Sequence, residues 1–437
     1  MSRIADRFKN NLEITWGGEF VGRLHRPSMS GELYFSYDRQ WISSDRPAIS
    51  FSMPVSEQSF GSEITKNFFG NFMPENTALL SYMRSKLRIT HDNLFMFLTE
   101  YGLESAGALI IVEEGRDVSE LNCEYRDITD KLIIELKKDP ENQIDLIIAL
   151  DAKISLAGAQ NKLPVRYENG KFLISADNSL AATSHVIKPP HRIFKGLPYN
   201  EAFCMELARR VGIPVPMSDI VNIGGAEVFI TERYDRAVAD GRVIRYHQED
   251  FCQALGINHA LKYEIAGGPG FRDCIALLNR SGVQKTSVVD FARVAIFNVI
   301  IANHDAHAKN FSFLYNYQPE IARDGTGVTL APFYDLVCTG IYPLNESFAM
   351  SIGGISYFHE LDDDAYRQFA GDLSLPYNAL SGLINDTIGK VRASVSDIVQ
   401  SYTSRFGNED IFIKIFNIIT NNCKIMEKAS DSLNASP

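Results

Sequence analysis

The sequence predicts an α+β chain with a bilobal core, a small β-rich lobe followed by a large all-helical lobe, preceded by a β-rich N-terminal domain. Three observations carry this expectation. Leu12, Ile14 and Trp16 alternate with polar residues, as do Leu33, Phe35 and Tyr37, which is the period of a half-buried antiparallel strand. KLPVRYENGKFLIS (162–175) reads as a hairpin with Asn169-Gly170 as its two-residue turn. From His247 onward the apolar period lengthens to that of helices, through Gln248–Leu255, Phe271–Leu278 and Val288–Ala302, and again near the C-terminus.

Taken in order, residues 1–115 form the N-terminal domain, in which short strands run from about Leu12 to Pro54, turned at Gly17-Gly18. NFFGNFMPEN (67–76) packs three phenylalanines into ten residues and reads as a core plug. Residues 116–152 form a helical connector, because DKLIIELKKDPENQIDLIIALD gives two amphipathic segments broken at Pro140. Residues 153–240 form the small lobe, with strands at HVIKPP (185–190) and AEVFITERYDR (226–236). Between them lies an amphipathic helix, EAFCMELARRVG, that stops at Gly212. Residues 241–437 form the large lobe, interrupted by one strand pair, NFSFLYN and GVTLAPFYD.

Composition excludes several functions. With 437 residues, 45% hydrophobic and 22% charged, the chain has the make-up of a folded protein with two or three packed units. A net charge of −11 does not hold nucleic acid by its overall field, since phosphate neutralisation needs clustered Lys and Arg. MSRIADRFKN has no apolar core of a secretory signal, and the apolar run Phe291–Ala302 is broken by Arg293 and Asn298, so no membrane span is expected. The six cysteines are scattered without a C-x-x-C pair, which points to reduced thiols and a cytoplasmic protein with neither a zinc site nor a disulfide framework.

The chemistry concentrates in NHDAHAKN (303–310), a polar loop between DFARVAIFNVIIA, apolar almost all round, and the strand NFSFLY. Asp305 and Asn310 are five positions apart, the spacing of the catalytic Asp and metal-binding Asn of protein kinases. One carboxylate must accept the hydrogen bond of an incoming hydroxyl, and a side-chain oxygen nearby must hold Mg²⁺ on the phosphates. Asp335, closing GVTLAPFYD after the strand pair, supplies a second oxygen for a hard cation. SLAGAQNK (155–162) is a small-residue turn ending in Lys162, suited to bring backbone N–H groups and an ammonium to phosphate, though a plain hairpin entry has the same pattern. Lys188 sits at a strand end where a kinase-like small lobe carries its phosphate-gripping lysine, with Glu201 or Glu206 as its acid partner. Glu232–Tyr234 end the last small-lobe strand, where a hinge offers backbone to adenine. Against these stand plainer roles: a capping Asp, loop histidines, a surface Lys.

Together SLAGAQNK, HVIKPP, ITERYDR (230–236), HQEDFCQALG (247–256), KYEIAGGPG (262–270), DAHAKNFS (305–312) and PFYD (332–335) resemble the HipA family of bacterial toxin kinases. FVGRL (20–24), SGELYFSYDRQWI (30–42) and NFMPEN (71–76) resemble the family's N-terminal module, so the likeness runs nearly end to end. The resemblance implies a protein-kinase-like fold and ATP-dependent serine/threonine kinase activity with Mg²⁺. Asp305 is then the catalytic base, and Asn310 and Asp335 hold the metal. Ala157, Gly158, Ala159, Gln160, Asn161 and Lys162 contact the phosphates with Lys188 and with His307, Ala308, Lys309 and Asn310. Glu232, Arg233 and Tyr234 form the adenine hinge, and Tyr334 and Asp335 complete the nucleotide site. Ser155 matches an inhibitory autophosphorylation site, and two added negative charges there repel nucleotide phosphates. Asn161 departs from the pattern, standing where a close family member has an acidic residue. The implied partners are a HipB-like helix-turn-helix antitoxin, operator DNA through that complex, and a protein substrate such as an aminoacyl-tRNA synthetase or another translation factor. Two other readings stand beside this one, a small-molecule phosphotransferase and a non-catalytic corepressor subunit.

Overall fold

The computed structural model describes residues 10–27, 31–90, 93–150, 162–318 and 327–435. The N-terminal domain is built on four antiparallel strands, β1 (Asn11–Trp16), β2 (Glu19–His25), β3 (Tyr34–Tyr37) and β4 (Leu109–Glu113), in the order β3-β2-β1-β4. The period-2 residues Leu12, Ile14 and Trp16 are all buried, as alternation requires. Gly17 and Gly18 both take positive φ in the β1–β2 turn. Strands do not continue to Pro54. Asp38 accepts a hydrogen bond from the Gln40 N–H and starts a short helix, α1 (Arg39–Ser43), that buries Trp41. Three more helices, α2 (Ser62–Gly70), α3 (Thr77–Leu87) and α4 (Leu94–Tyr101), cover the sheet. Phe68, Phe69 and Phe72 are buried, and Phe68 meets each of the other two edge to face.

The segment that follows contributes β5 (Tyr125–Asp127) and two helices, α5 (Thr129–Lys138) and α6 (Gln143–Leu150). The strand β5 joins the small-lobe sheet, whose other members are β6 (Leu163–Glu168), β7 (Lys171–Ser175), β8 (His185–Lys188), β9 (Ser218–Ile223) and β10 (Ala226–Glu232). The order is β5-β7-β6-β8-β10-β9, antiparallel throughout. Asn169 (φ 52°) and Gly170 (φ 78°) form the turn between β6 and β7. One helix, α7 (Leu197–Arg210), packs across β9 and β10 with Phe203 and Leu207 inward. A small hairpin, β11 (Arg236–Ala239) and β12 (Arg242–Arg245), leads to the large lobe.

The large lobe is not all-helical. It opens with β13 (Gln248–Asp250), which pairs with β14 (Ser312–Tyr315) and through it with β15 (Val328–Leu330). A second hairpin joins β16 (Ser347–Ile352) to β17 (Ile355–Tyr357). The residues Gln-Glu-Asp of β13 have no apolar alternation, so periodicity cannot reveal a strand defined by its partner. The helices are α8 (Phe251–Leu255), α9 (Phe271–Ser281), α10 (Lys285–Ile300), α11 (Asp363–Asp372), α12 (Tyr377–Phe406) and α13 (Glu409–Ala435). From Val294 to Ile300 every residue of α10 is buried, so the loop after it is mounted on the core.

Candidate active site at the lobe junction

The cleft between the lobes is built from two strand ends, one helix and the loops that follow. Lys188 ends β8, and its ammonium donates to Glu201 Oε1 on α7 at 2.6 Å and to Asp335 Oδ1. The lysine and Glu201 side chains are 5% and 2% exposed. Burial opposes the Lys188 charge, but the two carboxylates outweigh it and keep the ammonium protonated above its usual range. Burial would also raise the Asp335 carboxyl, yet Lys188 and Lys162 beside it hold it well below the usual carboxylate range. Glu201 is pushed up to about 6 by burial even against Lys188, and its Oε2 has no partner among the described residues. Of the two expected acids, Glu201 is therefore the one in the cleft. Glu206 pairs with Arg209 and Arg210 instead.

Asp335 takes a left-handed φ of 54°, a strained backbone for a residue with a Cβ. Its carbonyl accepts from Asn303 Nδ2 at 3.2 Å, and the same amide bonds Asn298 Oδ1 at 3.0 Å. Thr339 Oγ1 accepts from the His304 N–H (2.8 Å) and donates to the Ala302 carbonyl (2.9 Å). These bonds clamp the loop after α10 to the segment bearing Asp335.

Asp305 is exposed and lies outside the cleft lining, its Oδ1 accepting from the Tyr263 hydroxyl at 2.6 Å. Asn310 closes a single 3-10 turn, Ala308–Asn310, and its Nδ2 donates to the Asp305 carbonyl at 3.1 Å. That leaves Asn310 Oδ1 as an acceptor. Asn310 and Asp335 both line the cleft, offering an amide and a carboxylate oxygen. Such a donor set fits Mg²⁺, which keeps waters and takes phosphate oxygens, and does not fit zinc. Among the described residues no group of three or more His, Cys, Asp and Glu could hold a metal.

His307 and Lys309 line the same cleft. Burial lowers His307 to about 4, so its ring is neutral, and its Nδ1 has no partner among the described residues. Lys309 Nζ lies 3.0 Å from Glu75 Oε1, while Lys262 Nζ lies 2.7 Å from Glu75 Oε2. Burial would raise Glu75, but the two ammoniums bring it down to about 2. A carboxylate of the N-terminal domain is thus inserted beside the catalytic-type loop.

At the hinge, the N–H groups of Glu232 and Arg233 donate to the Met217 and Ser184 carbonyls (2.8 and 2.9 Å). The Tyr234 N–H is the first past β10 without a carbonyl partner among the described residues. The Tyr234 ring stacks on Tyr334, centroids 5.1 Å apart and 17° from parallel, and both line the cleft. Arg233 also lines it, but its guanidinium is committed to Glu104, Asp235 and Thr183. Lys162 faces the cleft, where burial lowers its ammonium and Asp335 opposes the shift. Ser155 and Ala157–Asn161 lie outside the described residues.

The structure therefore brings Lys162, Lys188, Glu232, Arg233, Tyr234, His307, Lys309, Asn310, Tyr334 and Asp335 to one cleft; Asp305 is not in its lining but is bonded through its carbonyl to Asn310, and Ala308 is buried in the same loop. Glu75, Tyr263, Asn303 and Thr339 were not singled out from sequence. Glu75 falls in a segment read as a core plug, Tyr263 in KYEIAGGPG, noted only as a likeness, and Asn303 opens the loop already singled out.

Two families match the chain. The HipA N-terminal domain covers residues 12–112 and the HipA-like C-terminal domain covers residues 154–395. A Sinorhizobium fredii protein named "Putative kinase Y4mE" is 33% identical over 90% of this chain and 93% of its own length. The serine/threonine-protein kinase toxin HipA of Shewanella oneidensis is 29% identical over 89% of each chain. Among solved structures, a chain of the Shewanella oneidensis MR-1 toxin–antitoxin complex of HipA, HipB and operator DNA superposes with a TM-score of 0.82. It shares 25% identity and covers 98% of this chain and 100% of that one.

Proposed function

The chain belongs to the HipA family, and from that membership we propose that it is an ATP-dependent serine/threonine protein kinase acting as the toxin of a toxin–antitoxin pair. The observation that carries the reading is the buried Lys188 ammonium held between Glu201 and Asp335, next to a loop presenting Asp305 and Asn310. Such a lysine is a fixed positive charge for nucleotide phosphates, and its two acids fix where it points.

In this reading the Glu232 carbonyl and Tyr234 N–H receive adenine, and the paired Tyr234 and Tyr334 rings form an apolar wall of the cleft. Lys162, Lys188, Lys309 and the neutral His307 ring face the phosphates, with Ala157–Asn161 and Ala308 as further phosphate contacts. Mg²⁺, when bound by Asn310 and Asp335, neutralises charge on the phosphate chain. Asp305 accepts the proton of the acceptor hydroxyl as the hydroxyl oxygen bonds to the γ-phosphorus, while the bond from that phosphorus to the bridging oxygen breaks and ADP leaves. Autophosphorylation of Ser155 switches the enzyme off. The partners are a HipB-like antitoxin, operator DNA through that complex, and a cytoplasmic protein substrate, with a translation factor such as an aminoacyl-tRNA synthetase as the target class. No helix among the described residues is long and apolar enough to cross a membrane.

Incubation with Mg²⁺-ATP followed by mass spectrometry tests the reading. The expected outcome is phosphate on Ser155 in the wild type and none in Asp305→Ala. A folded, ATP-bound wild type that stays unmodified and phosphorylates no protein of a cell extract refutes it.

A further inference from the structure

Three consecutive residues of the segment 262–264 each reach a different part of the molecule. Lys262 Nζ pairs with Glu75 Oε2 of the N-terminal domain at 2.7 Å. The Tyr263 hydroxyl donates to Asp305 Oδ1 at 2.6 Å. Glu264 accepts from the N–H and the hydroxyl of Ser351 on β16, the latter at 3.0 Å. The turn that follows is tied back on itself, with the Ala266 and Gly268 N–H groups both donating to the Tyr263 carbonyl at 3.0 Å. Gly268 is pressed so close that a Cβ there would lie 1.9 Å from the Leu261 carbonyl oxygen. The Tyr263 ring also stands edge-on to His307, centroids 5.3 Å apart. Backbone, ring and hydroxyl of Tyr263 are therefore all fixed.

The Asp305 backbone is bonded to Asn303, His307 and Asn310, but its carboxylate lacks such support. It is exposed, and among the described residues the Tyr263 hydroxyl is the single hydrogen-bond partner of its carboxylate. Without that bond the carboxylate is a nearly free rotor, because terminal carboxylate torsions are broad. With it, Oδ1 is occupied and Oδ2 is left to face an incoming hydroxyl.

Building on the kinase reading above, we infer that Tyr263 is a positioning residue for the catalytic base. Its hydroxyl sets the Asp305 carboxylate, and the anchors at Lys262 and Glu264 tie that setting to the N-terminal domain and to β16. Burial and the neighbouring carboxylate hold the phenol proton on well above the usual range, so the group stays a donor.

The test is Tyr263→Phe in the full-length chain, a change that removes one oxygen. Transfer of label from γ-labelled Mg²⁺-ATP to the chain itself and to proteins of a cell extract gives the maximal rate and the half-saturating ATP concentration. Calorimetry gives ATP affinity, and thermal melting reports folding. The maximal rate is expected to fall on the order of tenfold to a hundredfold, the equivalent of one charge-assisted hydrogen bond. ATP affinity, half-saturation and melting temperature stay as in the wild type, a split that a purely structural role does not produce. An unchanged or raised rate, or a loss that follows weakened ATP binding or lowered melting, overturns the inference. A wild type that transfers no label fails the kinase reading itself, which is a different result.

Discussion

Glu75 and Lys188 show how single residues set the electrostatics of the cleft. Lys188 is a buried cation between the buried Glu201 and the half-buried Asp335, so removing it leaves two carboxylates to repel each other. Glu75 is the reverse, one acid between the ammoniums of Lys262 and Lys309. Its carboxyl falls from 4.5 to about 2 on folding despite burial. A depressed acid contributes stability that is fully present above its unfolded pKa and is lost as pH falls through the folded one. Glu75→Gln is therefore expected to destabilise the chain at pH 7 by on the order of 3 kcal/mol. That deficit should shrink as pH is lowered from about 4.5 towards 2. Urea titrations of both proteins across that window measure it, and a deficit independent of pH contradicts the pairing.

At the scale of elements, the loop after α10 and the turn at 262–268 depend on bonds made to distant chain. Asn303 ties the loop to the carbonyl of Asp335, and Thr339 ties it again one residue on. The turn depends on Gly268, where there is no room for a methyl group beside the Leu261 carbonyl. Gly268→Ala is expected to displace the turn, lowering phosphate transfer about as much as loss of the Tyr263 hydroxyl, on the order of tenfold or more. ATP binding should be retained, because on the proposed reading the hinge at Glu232–Tyr234 and the Lys188 ammonium hold the nucleotide away from this turn. Steady-state rates alongside calorimetric titration with ATP separate the two, and full activity would show that the turn does not set Asp305.

For the molecule as a whole, the N-terminal domain is fastened to the hinge by a buried ionic cluster. Arg233, Arg236 and Arg245, from the hinge and its hairpin, converge on Glu104 and Asp235. Burial would raise Glu104, but the three guanidiniums hold it below the usual range. The Gly107 N–H donates to Asp235 Oδ2 at 2.7 Å, and Arg245 reaches the Leu103 carbonyl at 2.9 Å. Glu104→Ala leaves three buried cations facing one acid, which costs on the order of 3–5 kcal/mol. The expected outcome is a lowered melting temperature with faster proteolysis at the junction between residues 103 and 107. Melting and cleavage equal to the wild type would show that the cluster does not hold the domain. Through this cluster and Glu75, the N-terminal domain contacts both the hinge and the catalytic-type loop.

By itself the sequence determined the strand and helix periods, the Asn169-Gly170 turn, and the residues of the cleft that are strung on short motifs. Those features are local: alternation needs only neighbours, and the Asp305–Asn310 spacing is a property of one loop. It also determined family membership, because the motifs recur in order along the chain. Only the tertiary structure decided that Glu201 rather than Glu206 meets Lys188, since both lie on α7 and only the helix's packing tells them apart. It alone showed β13, a strand made by its partner, and the commitment of the Arg233 guanidinium to a buried cluster. The contacts of Glu75 and Tyr263 were equally out of reach. Each spans a long stretch of chain, 187 residues from Glu75 to Lys262 and 42 from Tyr263 to Asp305, and no sequence period encodes a pairing across such a loop.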